Sequence, residues 1–299
     1  MTCFVSTGCF TAEGLHEIIA LCIQHGLDLE LSSSVPFSPN NACLAKRAKE
    51  NMRLLVHNYF PPPPVPFALN LASTDPEVHR LSVELCCYAI RLCGEIEAPF
   101  YSVHAGFALH LNHKDLGNPQ LQGRIAEQKG IPRERAYETF LATIRRLASV
   151  ASDENVELLV ENNVAAIENI SRDGANTLLL SDPDEIRTFF DDLSLPNVGL
   201  LMDTGHAKVS AATLGTSPER YFEELAPLVR CLHLSDNDGR RDTNRPVTAD
   251  AWFAPFLARL ATVPMVIEVY RLSMEEILCQ RQLVRRLSNK TPDSEGAQA

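Results

Sequence analysis

Eight short apolar runs, set apart along the chain by stretches with helical spacing, are what most limits the folds open to this sequence. They are Cys3–Thr7, Leu27–Leu31, Met52–His57, Pro99–His104, Val156–Glu161, Val198–Asp203, Val229–Leu234 and Val263–Val269. Each is short for a core helix and reads as a strand, and Val198–Asp203 as one buried on both faces. Helices are expected over Thr11–His25, Asn41–Asn51, Thr74–Glu97, Arg133–Glu154, Asp184–Leu193, Pro218–Leu228, Asp250–Ala261 and Ser273–Leu287. In the fourth of these, Tyr137, Phe140, Leu141, Ile144, Leu147 and Ala148 form an apolar stripe. The fifth opens on Ser181-Asp182-Pro183-Asp184, which supplies a cap, a proline and acids suited to a helix start. Strands alternating with helices over 299 residues predict an α/β chain folded as a single (β/α)8 TIM barrel. An open, doubly wound sheet is disfavoured, because no Gly-x-Gly-x-x-Gly follows the first run and no phosphate-binding P-loop occurs.

Residues 1–287 are expected to form the barrel, and the small, polar residues 288–299 a flexible C-terminal tail. Residues 105–132 lack a clean period, and a loop of that length reads as a lid or binding element. A net charge of −11 argues against broad contact with nucleic acid or an anionic membrane and favours small-molecule chemistry. Nine cysteines, with no C-x-x-C pair, fit neither a disulfide scaffold nor a zinc knuckle. No run of eighteen apolar residues occurs, and Met1–Ser6 lacks the basic and apolar segments of a signal peptide. A soluble, cytoplasmic protein is expected, with its oligomeric state open.

Catalytic groups of such barrels come from the carboxyl ends of the strands. Here those ends carry His57, His104, Glu161, Asp203 with His206 just beyond, His233 and Glu268. Nine histidines placed at random would leave roughly half of one on some sixteen strand-end positions, yet three sit there and His206 lies one turn past another. A carboxylate such as Asp203 at the end of a strand buried on both faces carries a large desolvation cost unless a cation or several donors meet it. Imidazoles and carboxylates converging on a barrel mouth are ligands for a divalent metal such as Zn²⁺ or Mn²⁺, which removes that cost.

Leu159-Val160-Glu161-Asn162, Met202-Asp203-Thr204-Gly205-His206, Leu232-His233-Leu234-Ser235-Asp236-Asn237-Asp238-Gly239 and Val266-Ile267-Glu268 resemble the xylose isomerase-like barrel superfamily. That group includes sugar and sugar-phosphate isomerases and epimerases and the type IV apurinic endonucleases. The resemblance covers about Met1–Leu287 and implies a metal held by Glu161, Asp203, His233 and Glu268. It also implies that His57, His104 and Glu161 match positions holding a further metal in the endonuclease branch, so one or two ions per chain are expected. Asn244 stands where that branch has a ligand histidine, which counts against its third metal, the one that would use His206 and Asp242. His206 is then free to hold substrate, as in the epimerases.

The expected reaction is proton transfer next to a carbonyl of a sugar, sugar phosphate or related polyol. Glu161 and Glu268, from the fifth and eighth strands, are the expected base and acid and also ligate the metal, as the resemblance implies. Arg240, Arg241 and Arg245 are candidates to fork onto a substrate phosphate or carboxylate. Two alternatives stand beside this reading: a metal-dependent phosphodiesterase of the apurinic endonuclease type, and a non-catalytic ligand-binding barrel.

Overall fold

The structure is a computed structural model that describes residues 2–12, 14–116, 130–170 and 174–289. Strands β1 (Cys3–Ser6), β2 (Asp28–Leu31), β3 (Leu54–His57), β4 (Phe100–His104), β5 (Glu157–Glu161), β6 (Val198–Asp203), β7 (Val229–Leu234) and β8 (Met265–Ile267) pair in chain order. Every pairing is parallel, and β1 also pairs with β8, which closes the barrel. The described α-helices are α1 (Leu15–His25), α2 (Asn41–Ala48), α3 (Pro76–Ile96), α4 (Arg133–Asp153), α5 (Pro183–Leu193), α6 (Thr204–Leu214), α7 (Glu219–Leu225) and α8 (Met274–Ser288). The chain folds as a single (β/α)8 TIM barrel.

Local chemistry sets the helix limits. Asp75 accepts hydrogen bonds from the N–H groups of Glu77 and Val78 while Pro76 takes the first helical position, so α3 begins there. Asp182 and Pro183 start α5 in the same way. Gly26 ends α1 in the left-handed conformation, at φ 59°, which glycine adopts without a Cβ clash.

Alternation along the strands builds two apolar layers and one polar layer. Leu29, Leu31, Val56, Val103, Leu158, Val160, Leu200, Met202, Leu232 and Leu234 belong to the large core that also contains the inner faces of the helices. Phe4, Leu55, Phe100, Leu159, Leu201, Cys231 and Val266 form a separate cluster that floors the barrel interior. Two residues further along each of those seven strands come Ser6, His57, Ser102, Glu161, Asp203, His233 and Glu268. One pleat period therefore separates a greasy floor from a layer of polar side chains above it. The pairings set side chains level with that layer: His104 lies opposite Glu161, and Asp203 opposite His233.

Two expected elements differ. The stretch Asp250–Ala261 forms turns around a single 3-10 turn, Ala254–Phe256, because Pro255 has no N–H to continue a helix. Helix α6 had no counterpart in the expected set. It starts directly on the last residue of β6, with Asp203 as its cap. Of the expected loop 105–132, Phe107 bridges Leu178 and His113–Asp115 makes a 3-10 turn, while residues 117–129 lie outside the described residues. The expected tail lies outside them from residue 290 onward. No described helix is long and apolar enough to cross a membrane.

Candidate metal centre

Glu161, at the end of β5, is the hub of the polar layer and has no exposed surface. Its Oε2 lies 3.4 Å from His57 Nε2 and 3.3 Å from His104 Nδ1, and its Oε1 lies 3.3 Å from His206 Nδ1. None of these approaches has hydrogen-bond geometry, so both carboxylate oxygens are buried without a partner, as is Asp203 Oδ2. Buried carboxylate oxygens left this way are costly unless a cation meets them. Ligand atoms of Glu161, Asp203, His233 and Glu268 all fall within 4.8 Å of one another. Those of His57, His104 and Glu161 do the same. Carboxylate oxygens and imidazole nitrogens in such groups suit Zn²⁺ or Mn²⁺.

The supporting shell is specific. Asn162 locks the end of β6 by accepting the Asp203 N–H at 2.8 Å and donating to the Asp203 carbonyl at 3.2 Å. Asp203 Oδ1 accepts the His206 N–H at 2.6 Å, which caps α6 and leaves Oδ2 facing the interior. The Thr204 hydroxyl donates to the Ser235 carbonyl at 2.9 Å and ties the first turn of α6 to the end of β7. His206 Nδ1 donates to the Asn162 carbonyl at 2.8 Å, so its Nε2 is turned toward Asp242 Oδ2 at 3.3 Å. Gly205 leaves no room for a side chain: a Cβ there would sit 2.6 Å from Ser235 Oγ and 2.9 Å from Asp242 Oδ1.

Burial pushes the Glu161 carboxyl well above its ordinary range and raises Asp203 from 3.8 to about 6. It lowers His57 far below the ordinary histidine value and takes His104 down to about 3, with neighbouring imidazoles adding to both shifts. For His206 burial is opposed and outweighed by Asp203 and Asp242, and for His233 by Glu30 and Glu268, so both are raised. The metal-free pocket thus holds neutral His57 and His104 on one side and an acid-rich, histidine-paired group on the other.

All of the expected ligands, together with His206, are brought to one place. The three arginines are not part of this cluster and lie exposed on the loop after β7. Arg241 pairs with Glu168 at 3.1 Å, and Arg245 with Asp238 at 3.2 Å. Arg240 donates its backbone N–H to Asp238 Oδ1 at 3.0 Å. Asn244 donates to the backbone carbonyl of Glu268 at 3.1 Å, and so ties this loop to the end of β8. The residue absent from the sequence reading is Glu30 of β2, fully buried and 2.8 Å from His233 Nε2. Its signal was a second carboxylate, after Asp28, in a strand that alternates acid and leucine from Leu27 to Leu31.

Residues 17–277 match the family model described as "Xylose isomerase-like TIM barrel". The chain belongs to the xylose isomerase-like TIM barrel family. A relative named probable endonuclease 4, from Sulfurihydrogenibium sp., is 23% identical over 150 residues, which is 50% of this chain and 43% of that protein. The matched part thus spans less than half of that relative. Among solved structures, a D-tagatose 3-epimerase-like protein superposes with a TM-score of 0.71 at 18% identity, covering 96% of this chain and 97% of the other. D-psicose 3-epimerase from Clostridium cellulolyticum H10 gives 0.64 at 14% identity, covering 96% and 95%. At these identities the structural likenesses establish the fold. The proteins that this chain resembles thus include ones described as sugar epimerases and one as a probable endonuclease.

Proposed function

We propose that the protein is a divalent-metal-dependent isomerase or epimerase of a sugar, sugar phosphate or related polyol. The observation that carries this reading is the buried group Glu161, Asp203, His233 and Glu268, with three carboxylate oxygens of Glu161 and Asp203 left without hydrogen-bond partners. Those four residues would hold one Mn²⁺ or Zn²⁺, and His57 and His104 with Glu161 a second. Bound there, such an ion polarises a carbonyl oxygen of the substrate and makes the neighbouring C–H more acidic.

The protein's own groups supply the rest. Glu161 and Glu268 arrive on different strands yet place carboxylate oxygens within 4.8 Å of each other. One takes the proton from the carbon beside the carbonyl, and the other returns it. His206, anchored through Nδ1, would turn its Nε2, now 3.3 Å from Asp242 Oδ2, to a substrate hydroxyl. From the loop after β7, Arg240, Arg241 and Arg245 would meet a phosphate or carboxylate, which would draw Arg241 from Glu168. The nine free thiols suit a reducing, cytoplasmic setting.

The deciding experiment is incubation of the metal-loaded protein with ketoses and ketose phosphates in D₂O. Deuterium is expected at the carbon next to the carbonyl, and no incorporation across the panel would overturn the proposal. The group His57, His104 and Glu161 supports one other reading, a metal-dependent phosphodiesterase of the apurinic endonuclease type. Nicking of DNA containing abasic sites, lost in His57→Ala, would put that reading first.

A further inference from the structure

Below the metal-ligand group, β2 contributes a carboxylate that the proposed chemistry does not use. Glu30 has no exposed surface, and its Oε1 has no hydrogen-bond partner. Its Oε2 lies 2.8 Å from His233 Nε2. The other nitrogen of that ring, Nδ1, lies 2.9 Å from Glu268 Oε2 and 3.9 Å from both Glu161 Oε1 and Asp203 Oδ2. A neutral imidazole has one lone pair to give, and the proton on its other nitrogen decides which atom gives it. Both carboxylates accept from the ring here; a cation that replaces the Nδ1 proton leaves the Nε2 proton on Glu30 and takes the Nδ1 lone pair.

We propose that Glu30 is a positioning residue for this centre. It accepts the Nε2 proton of His233 and holds the ring in the tautomer and orientation that offers Nδ1 to a divalent cation. Accepting that proton also makes the imidazole a stronger donor. Ser6, paired with Glu30 in the β1–β2 register, gives its hydroxyl to Ser32 at 3.4 Å. The inference rests on reading the Glu161, Asp203, His233 and Glu268 group as a metal centre.

Chelator competition with Zn²⁺ on stripped wild type, Glu30→Gln and Glu30→Leu tests this, with circular dichroism to confirm that each is folded. Affinity is expected to fall about ten- to hundredfold in Glu30→Leu at unchanged stoichiometry. Glu30→Gln keeps an acceptor oxygen without the charge and is expected to fall in between. Long-range proton–nitrogen correlation spectra of the zinc-loaded protein are expected to show His233 protonated on Nε2 in wild type. Affinity within twofold of wild type in both folded variants would overturn the role, and if Glu30→Leu does not fold, Glu30→Gln alone decides. Loss of one whole equivalent of metal would make Glu30 a ligand, and would overturn it too. A wild type that takes up no metal would remove the metal reading itself, a result distinct from either.

Discussion

Ser102 Oγ meets His57 Nδ1 at 3.0 Å and thereby turns the opposite nitrogen of the ring to within 3.4 Å of Glu161 Oε2. The two residues sit on adjacent strands, paired His57 with Ser102 in the β3–β4 register. His57→Ala removes a ligand from the His57, His104 and Glu161 group and leaves the other group whole. Elemental mass spectrometry is expected to show two equivalents of metal in wild type and one in the variant. Equal content in both would mean that this second group holds no ion.

Glu161 belongs to both groups, so Glu161→Gln strikes both at once. Metal affinity is expected to drop more than about a hundredfold, and ketose turnover with it. Titration with Mn²⁺ followed by activity assay checks this, and a variant that retains wild-type turnover at equal metal would remove Glu161 from the mechanism.

Asp203 carries an opposite pair of effects. Burial raises its carboxyl from 3.8 to about 6, so the folded metal-free chain holds the proton more tightly than the unfolded chain. The resulting stabilisation is fully present below pH 3.8 and is lost as pH rises through about 6. At neutral pH the charged form therefore destabilises the stripped protein, by up to about 3 kcal/mol for a shift of this size. Asp203→Asn is expected to raise the melting temperature of stripped protein at pH 7 while weakening metal uptake. In wild type, metal affinity should fall steadily as pH drops below about 6, where protons compete for the carboxylate. A stripped Asp203→Asn protein that melts below wild type would contradict the sign of this argument.

Gly205 sits where the cap of α6 meets the loop after β7. An added Cβ would press on Ser235 Oγ at 2.6 Å and Asp242 Oδ1 at 2.9 Å. Gly205→Ala is expected to cost about 1–3 kcal/mol of stability and to push Asp242 away from His206. Denaturant unfolding at neutral pH measures the first effect, and an unchanged midpoint would show that the loop yields freely.

The strands were legible because each is short and most are apolar, several ending on a polar residue as with His57 and Asp203. The bounds expected for β6 and β7 are those found. What escaped has physical causes. Helix α6 buries Thr204, Gly205, His206, Ala207, Val209, Ser210 and Ala211, so it shows no polar face from which a helical period could be read. The stretch around Trp252 has helical spacing, but Pro255 withholds the donor that a helix needs there. Glu30 was missed because it alternates with Asp28 among leucines, a pattern that gives no sign of which acid faces the barrel interior. Its partner, 203 positions away, is visible only once the ring closes.

That separation sets an order of events during synthesis. β2 leaves the ribosome long before β7, so the pair Glu30 and His233 cannot form until almost the whole ring exists. An ion that needs this pair cannot nucleate folding and can only select chains that have already closed, where mass action then favours the finished state. A nascent chain cut short before β7 would leave the cell's proteases six of the eight strands, with neither His233 nor Glu268 to complete the four-residue group.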